Sequence, residues 1–402
     1  MSIYHLERTG DAGELSRLLS ESGSAAVRAR AAEALGEVEE DDGPVVEGLI
    51  HAAIEDPDGS VRASAVDALD GIGGDALERL LARMDGFEPA STDAPPTSAL
   101  VEALEHEMPE LRMAAANAIA RAEAVEATPA LLSHIDDGDP RVRLRVVRAI
   151  GRLGDVQAVD RLSTLTGHPS PRMRREVATA LGEIGERPAL TGLFSLLDDD
   201  ERTVRLAAVA SLGEFSISDP IERLVECLDD EDEELRRAAV YAIVELLSNA
   251  PPERSHDMRI DAVDALSTSH GEVVTAALVE LFEESTEPHQ RRNATWLLGR
   301  VTDGEGLAVD TLVAALGDDD EMVRRFAATS LAEIGTPTVE RALLEALNTT
   351  FGEGRTMVLF TLGKVGTEDA RQRLVRFLDE VDDVEVQEQA LAALSRLGGT
   401  GS

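Results

Sequence analysis

A ten-residue pattern, V-R-x-x-A-x-x-x-L-G, returns along this chain at intervals of about 31 residues, and a chain with such a period folds by stacking its units. The fullest copy is Val204, Arg205, Ala208, Leu212 and Gly213; others begin at Val27, Val61, Leu111, Val142, Met173, Leu235, Gln290, Val323, Gly354 and Val386. With the first position numbered 0, position +1 is arginine in ten of the eleven copies: Arg28, Arg62, Arg112, Arg143, Arg174, Arg205, Arg236, Arg291, Arg324 and Arg355. Only Gln387 breaks the series. One unit is too small to bury its own apolar face, so each must lie against its neighbours.

Between copies lies a second apolar segment with helical spacing, such as Ala189, Leu190, Leu193, Leu196 and Leu197, which predicts two antiparallel helices per unit. Asp-rich turns precede the V-R helix, as at 198–200 and 318–320, where carboxylates can cap free backbone N–H groups. The glycine that closes the pattern suits a helix C-terminus. No stretch alternates with period two over a useful length, so a sheet is not expected.

The D-x-x-x-V-R-x-x-A-x-x-x-L-G helix with its D-x-x-A-V-x-x-L-type companion resembles HEAT repeats, in particular the HEAT-like repeats named after phycobilin lyases, over roughly residues 11 to 397. The resemblance implies an all-α fold, an α-solenoid of about eleven HEAT-like helix pairs forming a curved superhelix. It also implies that the acidic turn residue and the +1 arginine form a ladder between successive repeats. The expected organisation is an N-terminal capping helix within 1–23, a solenoid over 24–397 and a disordered tail over 398–402. Two irregularities interrupt the solenoid: a loop insertion at 86–98 and an irregular repeat at 248–288, where the step from Leu235 to Gln290 is 55 residues and contains Pro251-Pro252.

Formal net charge is −40, Lys364 is the only lysine among 38 basic residues, and aromatics are 3%. Such a charge repels itself in dilute buffer and is screened when molar salt shortens the Debye length to about 3 Å. The composition points to the cytoplasm of a halophilic archaeon that keeps salt inside. A disordered acidic chain is excluded by the 43% apolar content with sustained helical period. The start MSIYHLERTGD lacks the basic and apolar regions of a signal peptide, and no apolar stretch reaches the ~18 residues of a membrane span. The single cysteine, Cys227, stands among Leu224, Val225 and Leu228 and reads as core.

No catalytic, cofactor or metal residue is assigned. His106-Glu107 is the one His-Glu dyad, whereas deoxyhypusine hydroxylase, a HEAT-like enzyme, uses several placed symmetrically, so no iron site is expected. His168, His256 and His289 fall in turns without a partner at metal-ligand spacing. A lyase or metal-dependent enzyme is the alternative that the repeat's name implies.

One face of the V-R helix says more. At 100° per residue, positions 0, +1, +4, +5 and +8 cluster toward the core, while −1, +2, +3, +6 and +10 point outward, onto what the resemblance makes the concave side. In the copy at Val142 these are Arg141, Leu144, Arg145, Arg148 and Arg152, and the next copy adds Arg172 and Arg175. Residues 141 to 187 hold ten arginines against five acids, a net of +5 in a chain of −40. Farther along, position +6 holds Tyr241, Trp296 and Phe360, with Phe326 and Met357 at +3. A row of rings along one groove marks a contact surface. The expectation is a non-enzymatic scaffold whose concave groove binds an acidic, partly apolar segment of a partner protein, the arginines engaging carboxylates and the rings serving as anchors. The competing expectation is that the arginines pair with acids of neighbouring repeats and the rings tuck between helices. Haloarchaeal proteins with similar repeats include adaptors of the taxis pathway, so the resemblance implies a signalling complex. Nucleic acid is the alternative partner, as in HEAT-like DNA glycosylases, and is opposed by the −45 left on the rest of the chain.

Overall fold

The computed structural model describes residues 11–37, 43–73, 75–83, 97–267, 271–302 and 306–398. Among these residues there are twenty-four α-helices and no strand. The chain forms two compact units, Met1–Leu196 and Leu197–Ser402. The first contains α1 (Ala12–Glu21), α2 (Ala25–Gly36), α3 (Gly43–Glu55), α4 (Gly59–Ile72), α5 (Ala76–Leu81), α6 (Thr97–Ala103), α7 (Pro109–Arg121), α8 (Thr128–Ser133), α9 (Pro140–Leu153), α10 (Val159–Ser163) and α11 (Pro171–Ile184), and α12 (Leu190–Leu197) ends it. The second contains α13 (Arg202–Gly213), α14 (Pro220–Glu226), α15 (Glu233–Ser248), α16 (Ser255–Leu266), α17 (Gly271–Glu284), α18 (Pro288–Val301), α19 (Leu307–Ala315), α20 (Glu321–Ile334), α21 (Pro337–Ala346), α22 (Gly352–Val365), α23 (Glu368–Glu380) and α24 (Val384–Gly398).

The V-R helices are α2, α4, α7, α9 and α11 in the first unit and α13, α15, α18, α20, α22 and α24 in the second. Successive V-R helices lie side by side, as α2 on α4, α9 on α11, α13 on α15 and α22 on α24, and each unit is a stack of helix pairs. Of the expected boundaries, the segment 1–23 contains α1, with residues 1–10 outside the described residues. The 86–98 insertion lies outside them up to 96, and Thr97 and Ser98 open α6 rather than belonging to a loop. Gly398 ends α24, and 399–402 lie outside. The irregular repeat is two helices, α16 and α17, of which α17 packs on α18 and α15, and α16 on α14 and α18.

Four of the V-R helices begin with the same aspartate chemistry. At position −5, Asp56, Asp137, Asp230 and Asp318 accept the backbone N–H at −3 over 2.8–2.9 Å. At −3, Asp58, Asp139, Asp232 and Asp320 cap the first turn. The +1 arginine then donates Nη1 to the carbonyl six residues before it, on Ser22, Asp56, His106, Asp137, His168, Asp199, Asp230, Ser285 and Asp318, over 2.6–3.1 Å. Gln387 keeps this bond with Val381. The rest of the guanidinium reaches forward: Arg28 grips Asp56, Arg112 grips Asp137 and Arg291 grips Asp318, each through two nitrogens. One aspartate therefore organises its own turn and receives the preceding repeat's fork. The planar fork of arginine spans both contacts, which a lysine ammonium does not.

The glycine of the motif has a different role from the one its sequence position implied. Gly151, Gly299 and Gly363 lie inside α9, α18 and α22, which continue past them. A Cβ on Gly36 would lie 2.7 Å from the Cα of Ala68, and one on Gly151, Gly213 or Gly363 would lie 2.6, 3.1 or 2.9 Å from the Cα of Ala180, Ala242 or Ala393. Position +9 of one V-R helix thus meets position +7 of the next, and glycine there lets the two backbones touch. The helix stops come about three residues later, at Gly154, Gly185 and Gly335, whose φ values are 66°, 65° and 54°.

Candidate partner-binding faces

In the first unit the arginines expected to line a groove are mostly tied to the protein itself. Arg145 is only 7% exposed and clasps Asp67 with two nitrogens, the Nε bond being 2.7 Å. Arg141 binds Asp139, reaches the carbonyl of Gly59 and lies 3.1 Å from Glu110. Arg148 makes a two-pronged bond to the buried Glu176 at 2.7 and 2.9 Å, and Arg152 lies 3.6 Å from Asp70, which Arg121 also binds at 2.6 Å. Leu144, at the outward position +2, is buried. Arg172 and Arg175 are exposed and make no ion pair among the described residues.

The reason lies in α7. Its outward positions +3 and +6 are Ala114 and Asn117, so the ridge it presents is low, and side chains of α9 cross over it to Gly59 and Asp67 on α4, two repeats back. Helices α4, α5, α6 and α9 all pack on α7, and every residue from Glu110 to Ala120 except Arg112 is buried. Glu110 itself is 1% exposed, with Arg62 at 3.0 Å and Arg141 at 3.1 Å. Positions calculated to be solvated from one helix are filled here by a non-adjacent one.

In the second unit the same positions carry four rings and a methionine. Tyr241, Trp296, Phe326, Met357 and Phe360 are all half-buried. They fall into separate settings. Arg237, beside Tyr241 on the same helix, bonds Glu280 of α17 at 2.8 Å, and burial, with Glu280 and Glu284 adding to it, pushes the Tyr241 phenol up to about 12. Trp296 has the guanidinium of Arg300 at 4.2 Å and that of Arg259, on α16, at 5.8 Å from its ring centre; Arg259 also lies 5.7 Å from the ring of Phe326. Phe360 has Lys364 at 4.7 Å and Arg396 at 4.9 Å. Cations over ring faces are attracted by the ring quadrupole. Arg259 was not anticipated: it lies in α16, outside the repeated pattern, and nothing in its spacing marks it.

Among the described residues no group of three or more His, Cys, Asp or Glu could hold a metal ion. His106 and His168 use Nδ1 to accept the N–H groups of Met108 and Ser170 at 3.1 and 3.0 Å, the part that aspartate plays at position −5 elsewhere. His256 and His289 are exposed. Cys227 is half-buried rather than core, and its thiol, pushed up to about 11 by burial, donates to the carbonyl of Arg223. Among the described residues no helix is long and apolar enough to cross a membrane.

The HEAT-repeat family matches residues 14–94, 128–213, 190–277 and 275–353, three quarters of the chain. This chain is a HEAT-repeat protein. It is 48% identical to a HEAT repeat-containing taxis protein of Halobacterium salinarum over 99% of both chains. An engineered protein of known crystal structure aligns with 97% of this HEAT-repeat chain and 99% of its own at 21% identity, with a TM-score of 0.47.

Proposed function

We propose that this chain is a non-enzymatic scaffold of a taxis signalling complex in a halophile cytoplasm, and that it holds an acidic, partly apolar segment of a partner protein against its V-R helix faces. The observation that supports this is the set of half-buried apolar side chains at the outward positions of α18, α20 and α22: the rings of Trp296, Phe326 and Phe360, each with a cation near it, and Met357. Rigid rings already partly desolvated make good anchors for a docked segment. The name of the 48% identical relative supports the setting. Of the arginines, Arg172 and Arg175 are the ones in position to take a partner's carboxylates; Arg141, Arg145, Arg148 and Arg152 must first release internal ones.

Affinity capture from extract of the native host in molar KCl tests this reading. Trp296→Ala is expected to weaken capture by about 2 kcal/mol with helicity unchanged, and the Arg172→Glu, Arg175→Glu pair to weaken it less. Retention of the partner at wild-type level by both variants would place the binding surface on the companion helices.

A further inference from the structure

On the neighbouring V-R helices α15 and α18, four arginines are matched with carboxylates: Arg237 with Glu280 at 2.8 Å, Arg291 with Asp318 at 2.9 Å, Arg292 with Asp320, and Arg300 with Glu333 at 3.0 Å. Arg259 is different. Its Nε and Nη2 both donate to the amide oxygen of Asn293, at 3.2 and 3.0 Å, and it makes no ion pair among the described residues. Asn293 is 2% exposed and its Nδ2 donates to Ser248 Oγ at 3.0 Å, so the amide oxygen is turned toward Arg259. The guanidinium lies between the rings of Trp296 and Phe326. Burial, and to a smaller degree the charge of Arg300, lower its pKa, as befits a cation short of counter-charge. In a chain of net charge −40, a half-buried arginine is held in place by a neutral group.

A guanidinium has five N–H donors in a planar fork, and Asn293 occupies two. The remaining three, on a cation flanked by two ring faces, match a carboxylate whose neighbouring residues are apolar. We propose that Arg259, positioned by Asn293 between Trp296 and Phe326, is a socket for the side-chain carboxylate of an Asp or Glu on the docked partner, with the apolar neighbour of that residue on the two rings. The proposal rests on the reading that this face docks a partner protein. Charge favours a single carboxylate over phosphate: in a chain of net charge −40, a dianion or a nucleic-acid strand meets more repulsion than one carboxylate does. The neutral Asn293 is the design feature, since an aspartate there would fill the site from within.

Trp296 is the only tryptophan, so its fluorescence reports on this site directly. The full chain, at the lowest KCl concentration that preserves its helicity, is titrated with acetyl-Leu-Glu-Leu-amide, with its Gln counterpart and with the phosphoserine counterpart. The Glu peptide is expected to bind at least tenfold more tightly than the Gln peptide and more tightly than the phosphoserine peptide. Both Arg259→Gln and Asn293→Asp should abolish that preference, Asn293→Asp with a raised melting temperature. Equal binding of Glu and Gln peptides, a preference for phosphoserine, or Glu binding undiminished in Asn293→Asp overturns the socket. If the Glu preference is absent while host-partner capture still depends on Trp296, the socket fails and the docking face stands. If the Glu preference is present while Trp296→Ala and Arg259→Gln both retain the partner, the socket stands and the docking face fails.

Discussion

The helix faces around α9 and around α18 to α22 occupy the same positions of the same repeat and have opposite fates. At α9 the outward arginines are bound to carboxylates and carbonyls of other helices, two of them reaching across α7 to α4. At α18, α20 and α22 the outward side chains are rings that cations cover only in part. The repeat determines which positions look outward. The bulk at +3 and +6 of the intervening helix determines whether that space stays open: with Ala114 and Asn117 the ridge of α7 is low enough to be bridged, and the side chains that bridge it are held by internal partners.

The sharpest way to break this contrast is Glu110→Ala. It leaves Arg62 and Arg141 facing a buried space without their shared carboxylate, and unfolding in molar KCl should lose about 3–5 kcal/mol. A loss under about 1 kcal/mol would mean that the first unit's face is as open as the second's. Next comes the helix contact. Gly36→Ala places a methyl 2.7 Å from the Ala68 backbone and should cost about 1–3 kcal/mol, more than Gly213→Ala, where the nearest backbone atom is at 3.1 Å. The reverse order would show that the first unit yields more easily. Arg148→Ala should then cost about 1–3 kcal/mol by stranding the buried Glu176, while Arg175→Ala, on the exposed side of the next helix, should stay within about 0.5 kcal/mol. Equal effects would erase the distinction between bound and available arginines.

The smallest expected effect is a pH dependence. Asp56 is held below the usual carboxylate range by Arg28. For Asp137 burial opposes this, but the fork of Arg112 prevails. Asp139 is lowered by Arg141, and Asp320 is brought to about 2 by Arg292. Since the folded values lie below the unfolded value of about 3.9, these groups contribute fully above about pH 5 and lose their contribution as pH falls through 4 toward 2. Melting temperature against pH should therefore be flat near neutrality and fall in acid. Three of the four aspartates are in the first unit, so Asp320→Asn should flatten the curve less than Asp56→Asn and Asp137→Asn together.

The stacked helix pairs were legible because a period of 31 residues is written in apolar spacing, and the ladder only through the resemblance to HEAT repeats that the recurring arginine helps carry. The glycine at +9 was misread: glycine near a helix end is common, and its role depends on the alanines at +7 of the following copy, Ala68, Ala180, Ala242 and Ala393. The faces were less legible still. An outward angle is a property of one helix, whereas the fate of Arg145 is decided by Asp67, 78 residues away, and the ring cluster takes its arginine from α16, which has no counterpart in the repeat.

The two histidine turns have a mechanical consequence. His106 and His168 organise their own loops but present no carboxylate to the arginine of the preceding repeat. Arg62 pairs instead with Glu110, and the Nε of Arg143 is left without a hydrogen bond while Arg148 grips Glu176. At these two joints the clasp has moved from the turn to the outward side of the helices. The bending stiffness of the first unit is therefore set along its surface edge, where a side chain that draws Arg148 off Glu176 loosens one joint and leaves the aspartate-latched joints rigid.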